Sequence, residues 1–131
     1  MKTLPPADEA RLDRWINGID QFNDTVGDGT TRHYMTATEC ACREYIRDEM
    51  EKLGLRVEVD CMGNVHGTLA GTEPDLAPVW TGSHFDTVLH GGRFDGVAGV
   101  VTGMAALHLI ASSGAAHRRD LTVIAYGGEE P

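Results

Sequence analysis

A nearly uncharged helical segment between two strand-like runs constrains the fold of this chain most strongly. Residues 78–84 form a short apolar run that ends in polar groups, residues 97–110 are apolar on most sides, and residues 121–126 are again extended and apolar. Strand, helix and strand in this order predict a βαβ unit with two parallel strands. Because ligands of such sheets bind beyond the carboxyl ends of the strands, the residues after each run are candidates for a functional site.

The part of the chain before this unit predicts two amphipathic helices and a hairpin. Apolar residues recur at intervals of three and four in residues 8–22, and again from the expected N-cap Thr38 to the stop at Gly54. The polar segment 23–37 between them predicts a loop. Alternating apolar and polar residues on both sides of a Met-Gly-Asn turn predict the hairpin. Its strands are expected at residues 55–61 and 65–70.

Together these elements predict one α/β domain with a mixed, largely parallel sheet flanked by helices. The apolar run 78–84 is expected to be a buried strand of that sheet. A chain of 131 residues can bury roughly two-thirds of its unfolded surface, which is enough for a single hydrophobic core.

The charge pattern excludes several classes of partner. The chain carries 20 acidic and 11 basic residues, a formal charge of −9, and no basic run longer than Arg118-Arg119. Nucleic acid is therefore not an expected partner. No stretch is long and apolar enough to span a membrane, and residues 1–9 lack the apolar core of a signal peptide. We therefore expect a cytoplasmic protein.

Cysteine spacing does not point to a metal knuckle or a redox pair. Cys40 and Cys42 are separated by one residue, whereas zinc knuckles and redox sites use a spacing of two, and Cys61 stands alone. We expect all three thiols to be reduced and structural, as small buried apolar groups.

Candidate metal ligands follow both strands of the βαβ unit. His84 and Asp86 come at and just after the end of the first strand, Asp95 opens the helix, and Glu129 and Glu130 follow the second strand. Nitrogen and oxygen ligands at one edge suit a divalent cation such as zinc, and Asp95 is placed to bridge two cations. Asp86 can fix the tautomer of the His84 ring. One glutamate can bind metal while its neighbour moves protons on the attacking water.

Each of these features also has a purely structural interpretation. Asp95 can be no more than the N-cap of the apolar helix. His84 can be a loop residue, and Glu129 and Glu130 can be surface charges in a solvated turn. Only the complete pattern favours a functional site over these alternatives.

That pattern resembles a known family. In the string from Thr81 to Val100, Asp95 stands 11 positions after His84 and the pair Gly91-Gly92 lies between them. The glutamate pair follows after one helix and one strand. This pattern resembles the amidohydrolase branch of the M20 metallopeptidase superfamily, the N-carbamoyl-L-amino acid hydrolases and allantoate amidohydrolases. The resemblance extends upstream through Lys52-Leu53-Gly54-Leu55 and Gly63-Asn64-Val65.

The resemblance implies a role for each site residue. It makes His84 the ligand of one metal, Asp95 the bridge between two metals and Glu130 a ligand of the second. It makes Glu129 the general base and Asp86 the group that orients His84. It implies two divalent metal ions, with zinc as the leading candidate and manganese, cobalt or nickel as alternatives. It also implies a small carbamoyl or ureido substrate and a homodimer of the full-length form.

The chain also departs from this family. Family members are longer, with two further histidine ligands and a lid domain, so residues 1–131 are expected to be an N-terminal portion of the catalytic domain without the lid. We expect this portion to bind metal weakly and to lack turnover. The alternatives are a dipeptidase or aminoacylase of the same superfamily and a non-catalytic binding module. The roles of His90 and Arg93 stay open.

Overall fold

A computed structural model describes residues 8–131, so residues 1–7 and the expectation about a signal peptide lie outside the described part. In residues 8–131 the chain alternates helices and strands. The helices are α1 (Glu9–Asp20), α2 (Ala37–Lys52) and α3 (Val97–Ser113), and the strands are β1 (Arg56–Val59), β2 (Val65–Leu69), β3 (Val79–His84) and β4 (Leu121–Tyr126). None of these helices combines the length and the apolar character required to cross a membrane.

The start of α2 differs from the prediction by two residues. Its N-cap is Thr36, whose hydroxyl accepts a hydrogen bond from the Glu39 amide, and not Thr38. Thr36 has the extended backbone that an N-cap requires, whereas Thr38 lies in the first turn and donates its hydroxyl proton to Asp24. Thr36, two residues upstream of the predicted cap, therefore accepts a hydrogen bond from one of the free amides in the first turn of α2.

The sheet is mixed, as expected, in the order β1-β2-β4-β3. The hairpin of β1 and β2 is confirmed, and so is the parallel pairing of β3 with β4 across α3. However, β2 pairs with β4 in the antiparallel direction, so the expectation of a largely parallel sheet holds only for β3 and β4. The parallel pair brings His84 opposite Tyr126, which places the ends of both strands at one edge.

The expectation that residues 78–84 form a buried strand is wrong. In β3, Val79 is 52% exposed and Trp80 is 63% exposed. The reason is position, because β3 lies at the end of the sheet order and pairs on one side only among the described residues. Apolar composition alone does not distinguish a central strand from an edge strand.

The core lies between the helices and one face of the sheet. Gly67 of β2 lies against Met50 of α2, and Gly103 of α3 lies against Val123 of β4. Residues Gly67 and Val123 are register partners, so both helices cover the same face. Helix α1 packs on α2 and α3. The largest buried apolar side chains are Trp15, Phe85, Ile19, Ile46, Met50, Met104 and Ile124.

All three cysteines are free, as expected, but only Cys42 is buried. Cys40 and Cys61 are exposed, so the structural role expected for all three thiols applies to Cys42 alone. Burial raises the pKa of the Cys42 thiol to about 12. Reactivity requires an accessible thiolate, so the three thiols should differ in rate.

We expect two thiols to react rapidly with a chromogenic disulfide reagent at pH 8 and the third only on unfolding. The C42A variant should keep both fast thiols, whereas C40A and C61A should each lose one. Rapid reaction of three thiols in the folded chain would contradict the burial of Cys42.

Candidate metal centre

The three predicted metal ligands meet where the two parallel strands end. His84 is the last residue of β3, Asp95 precedes α3, and Glu130 follows β4. One ligand atom from each of these residues lies within 4.8 Å of the others. A nitrogen and two carboxylate oxygens at this separation form a donor set that a divalent cation can bind.

The two nitrogens of the His84 ring have different surroundings. Nδ1 lies 3.0 Å from the backbone carbonyl oxygen of Asp86, and a carbonyl can only accept, so Nδ1 carries the proton. Nε2 lies 3.6 Å from an oxygen of Asp95 and 3.7 Å from an oxygen of Glu129. In the neutral ring Nε2 is then the nitrogen without a proton, and it faces the carboxylates, as metal ligation requires.

Asp86 contacts the centre differently from the way the sequence predicts. Its backbone carbonyl, not its carboxylate, accepts the His84 ring proton, and the carboxylate oxygen Oδ1 lies 3.7 Å from Nδ1. The other oxygen, Oδ2, accepts the backbone amide of Glu130 at 2.9 Å. Asp86 is buried, and Oδ1 has no hydrogen-bond partner among the described residues. The carboxylate thus holds the segment that carries Glu130.

Asp95 does not cap α3. The N-cap is Gly96, and no side chain makes a capping hydrogen bond there. Gly96 has a φ of 64°, and an added Cβ would overlap the carbonyl oxygen of His84 and lie 2.5 Å from its Nδ1. The carboxylate of Asp95 is left free and is 56% exposed on the side chain. The structural interpretation of Asp95 as an N-cap is therefore wrong.

The centre concentrates negative charge. Four carboxylates follow β3 or β4 close to His84, namely those of Asp86, Asp95, Glu129 and Glu130. Within the described part of the chain, none of them forms an ion pair with a lysine or arginine. Carboxylates in such proximity repel one another unless a cation lies between them. The charge distribution is therefore suited to a divalent cation.

His90 and Arg93 point away from the centre. The Nδ1 atom of His90 donates to the backbone carbonyl of Asp28 at 2.7 Å. Arg93 donates to Asn17 of α1 at 2.5 Å and lies 3.8 Å from Asp20. Both side chains therefore connect the glycine-rich loop to other parts of the fold.

Arg32 supports the centre, and the sequence does not predict it. Its side chain is fully buried and donates to the carbonyl of Phe85 at 2.7 Å, next to His84. It also donates to the carbonyls of Phe22 at 2.8 Å and Ile19 at 3.2 Å, at the end of α1. Nothing in the polar segment 23–37 distinguishes this arginine from a surface residue.

Comparison with known proteins identifies the family and the relatives of this chain. The family model described as Peptidase family M28 matches residues 64–131, which include all the predicted ligands. Ureidoglycolate hydrolase of Arabidopsis thaliana is 35% identical over 124 residues, 95% of this chain and 26% of that protein. N-carbamoyl-L-amino-acid amidohydrolase of Paenarthrobacter aurescens is 37% identical over 128 residues, 98% of this chain and 31% of that protein.

A solved structure supports the same assignment. The crystal structure of a hydantoinase/carbamoylase family amidase from Burkholderia ambifaria matches with a TM-score of 0.87 and 31% identity, over 95% of this chain and 31% of that one. The chain therefore spans about a quarter to a third of the length of these relatives. These matches confirm the resemblance to the amidohydrolases and the mixed α/β fold. The chain belongs to Peptidase family M28, and its relatives in this comparison are amidohydrolases and amidases.

Proposed function

We propose that this chain supplies the metal-binding edge of a metal-dependent amidohydrolase that cleaves linear, non-peptide C–N bonds of small carbamoyl or ureido compounds. The observation that carries the proposal is the meeting of His84, Asp95 and Glu130 within 4.8 Å. The names of the relatives, a ureidoglycolate hydrolase and an N-carbamoyl-L-amino-acid amidohydrolase, support this substrate class. N-carbamoyl-L-amino acids and allantoate are the candidate substrates. The proposed full-length form is a cytoplasmic homodimer.

The donor set fits the proposed metals. Imidazole nitrogen and carboxylate oxygen suit zinc first, with manganese, cobalt or nickel as alternatives. In the proposal His84 would hold one cation, Glu130 would hold the other, and Asp95 would be shared by both. Bound cations of this type lower the pKa of water from about 15.7 toward roughly 7 and polarise a carbonyl group.

Glu129 is the proposed general base. One of its carboxylate oxygens lies 3.7 Å from Nε2 of His84, and its side chain is 59% exposed, so water can reach it. In the proposal Glu129 accepts a proton from the attacking water and later gives it to the leaving nitrogen. Such a group contributes about a hundred- to ten-thousand-fold in rate. The carboxylate of Asp86 accepts the backbone amide of Glu130 and so holds this residue beside the centre.

Metal titration tests the centre directly. We expect the purified chain to bind Zn²⁺ weakly in a calorimetric titration, because it offers three ligands to a site that needs more. H84A, D95N and E130Q should each weaken binding about tenfold or more. E129Q is the matched control, since it removes the same charge from the adjacent residue and should leave the affinity within about threefold. Equal losses in E129Q and E130Q would contradict the assigned roles.

The substrate class is tested with the protein expressed from the whole reading frame that encodes this chain. Loaded with Zn²⁺ or Mn²⁺, it should release product from an N-carbamoyl-L-amino acid or from allantoate, with E129Q inactive. The matching family is described as a peptidase family, which favours dipeptide hydrolysis as the second candidate. Turnover of dipeptides without turnover of carbamoyl or ureido compounds would establish that alternative.

A further inference from the structure

The turn between β1 and β2 contacts the segment that carries the glutamate pair. The backbone amide of Gly127 donates to Oδ1 of Asn64 at 3.1 Å. Asn64 directly precedes β2 and Gly127 directly follows β4, just beyond the last register pair of these strands, Val65 with Ala125. The Asn64 side chain therefore takes the place of a strand carbonyl where the ladder ends.

Asn64 is itself held in one orientation. Its Nδ2 group donates to Oδ2 of Asp60 at 2.9 Å, and the other oxygen of Asp60 accepts the amides of Met62 at 2.9 Å and Asn64 at 3.0 Å. The pKa of Asp60 is lowered to about 2, mainly by the hydrogen bond from the Asn64 side chain. Because Nδ2 is committed to Asp60, Oδ1 points toward Gly127.

The two glycines before Glu129 lie against a second support. Tyr34 donates its hydroxyl proton to the carbonyl of Met62 at 2.6 Å, and an added Cβ at Gly128 would lie 3.0 Å from its ring. Glu39 is fully buried, and an added Cβ at Gly127 would lie 3.2 Å from its Oε1. Side chains at residues 127 and 128 would therefore crowd Tyr34 and Glu39, which would have to shift by a few tenths of an ångström.

The segment 127–130 is thus fastened at both ends. Asn64 holds the amide of Gly127 from the β2 side, and Asp86 holds the amide of Glu130 from the β3 side. Between these two anchors the chain turns through Gly128, which has a φ of 78°. The direction of this short turn decides which neighbouring glutamate faces Asp95 and which faces the solvent beside His84.

We propose that Asn64 is a positioning residue, which orients Glu129 and Glu130 by holding the backbone at Gly127. This inference rests on the proposed function, because the hydrogen bond from Gly127 to Asn64 can orient metal ligands only if the centre binds metal. Within residues 8–131 Asn64 makes no hydrogen bond to a ligand atom, so the Gly127 amide is the contact through which it reaches the centre. Outer groups that orient ligands typically change metal affinity about 10- to 100-fold.

The test compares three variants of the chain in two measurements, Zn²⁺ affinity by calorimetry and hydrogen exchange of the Gly127 amide by NMR. N64A should weaken Zn²⁺ binding about tenfold and speed exchange at Gly127 about tenfold or more. H66A is the matched control, because His66 also contacts Asp60, at 3.2 Å, but is not the acceptor for Gly127. It should change neither quantity by more than about twofold.

The third variant exchanges the carboxylate of Asp60 and the side-chain amide of Asn64. In D60N/N64D an aspartate at position 64 can still accept the Gly127 amide, and an asparagine at position 60 can donate to it. This double variant should restore both quantities to within about threefold of the wild-type values. A general loss of structure in N64A would not be repaired by such an exchange, so rescue separates positioning from folding.

The outcomes separate the two proposals. If the wild-type chain binds no Zn²⁺, the proposed function fails and the purpose assigned to Asn64 fails with it. If the wild type binds Zn²⁺ and N64A binds it equally well, only the positioning role is overturned. The wild-type chain alone also provides a check, because the Gly127 amide should exchange about tenfold or more slowly than that of Gly128, which has no acceptor among the described residues. Equal exchange rates would overturn the inference without any variant.

Discussion

Replacing Gly96 by alanine is expected to abolish measurable Zn²⁺ binding and to lower the free energy of unfolding by about 2 kcal/mol or more. Gly96 has a φ of 64° and a ψ of −46°, which L side chains rarely adopt. The added Cβ would also overlap the backbone carbonyl and ring of His84. Since both groups belong to a strand end and cannot yield independently, His84 must move away from Asp95.

Gly54 provides the matched control for this experiment. It has a φ of 78°, but an added Cβ would meet no atom within 4 Å. G54A should therefore cost only the backbone strain, about 1 kcal/mol, and leave Zn²⁺ affinity unchanged. Urea unfolding followed by circular dichroism and calorimetric titration measure the two quantities. Wild-type affinity in G96A would show that the position of His84 does not depend on the close approach of this glycine.

Arg32→Ala is expected to lower the free energy of unfolding by about 3 to 5 kcal/mol. The guanidinium is fully buried and donates to the carbonyls of Phe85, Phe22 and Ile19. Its removal leaves buried acceptors without donors and opens a cavity between α1 and the end of β3. We also expect weaker Zn²⁺ binding, because Phe85 lies between His84 and Asp86.

Arg47→Ala is the contrasting substitution. Arg47 forms ion pairs with Glu44, Asp48 and Glu51, yet its side chain is 39% exposed. Pairs of this kind in solvent contribute little, so the expected loss of unfolding free energy is much smaller than that in R32A. Urea unfolding of both variants gives the comparison. Similar losses for R32A and R47A would contradict the view that burial, rather than the number of ionic contacts, makes Arg32 important.

Local patterns in the sequence account for the elements that were predicted correctly. The period of apolar residues identified α1 and α2, the nearly uncharged run 97–110 identified α3, and the alternation around residues 62–64 identified the hairpin. Such periods are read within one segment, so they need no knowledge of the neighbours. The ends of elements are predicted less exactly, as at Thr36, because competition between nearby capping groups depends on the geometry of the preceding loop.

The meeting of His84, Asp95 and Glu130 also follows from the order of elements. A parallel β3–β4 pair joined by a helix brings the residues after both strands to one edge, whatever the rest of the chain does. Imidazole nitrogen and carboxylate oxygen are donors that suit a hard or borderline cation.

The sequence by itself therefore determined the elements, the βαβ unit and the residues that meet at its edge, because each depends on local periodicity or on chain order. Only the tertiary structure decided that β3 lies at the sheet edge, that Arg32 is buried, that Asp86 contacts His84 through its backbone and that Asn64 holds Gly127. These contacts join residues far apart in the chain or depend on a single backbone direction. No pattern in the sequence records such contacts, since they exist only once the sheet order and the loop paths are set.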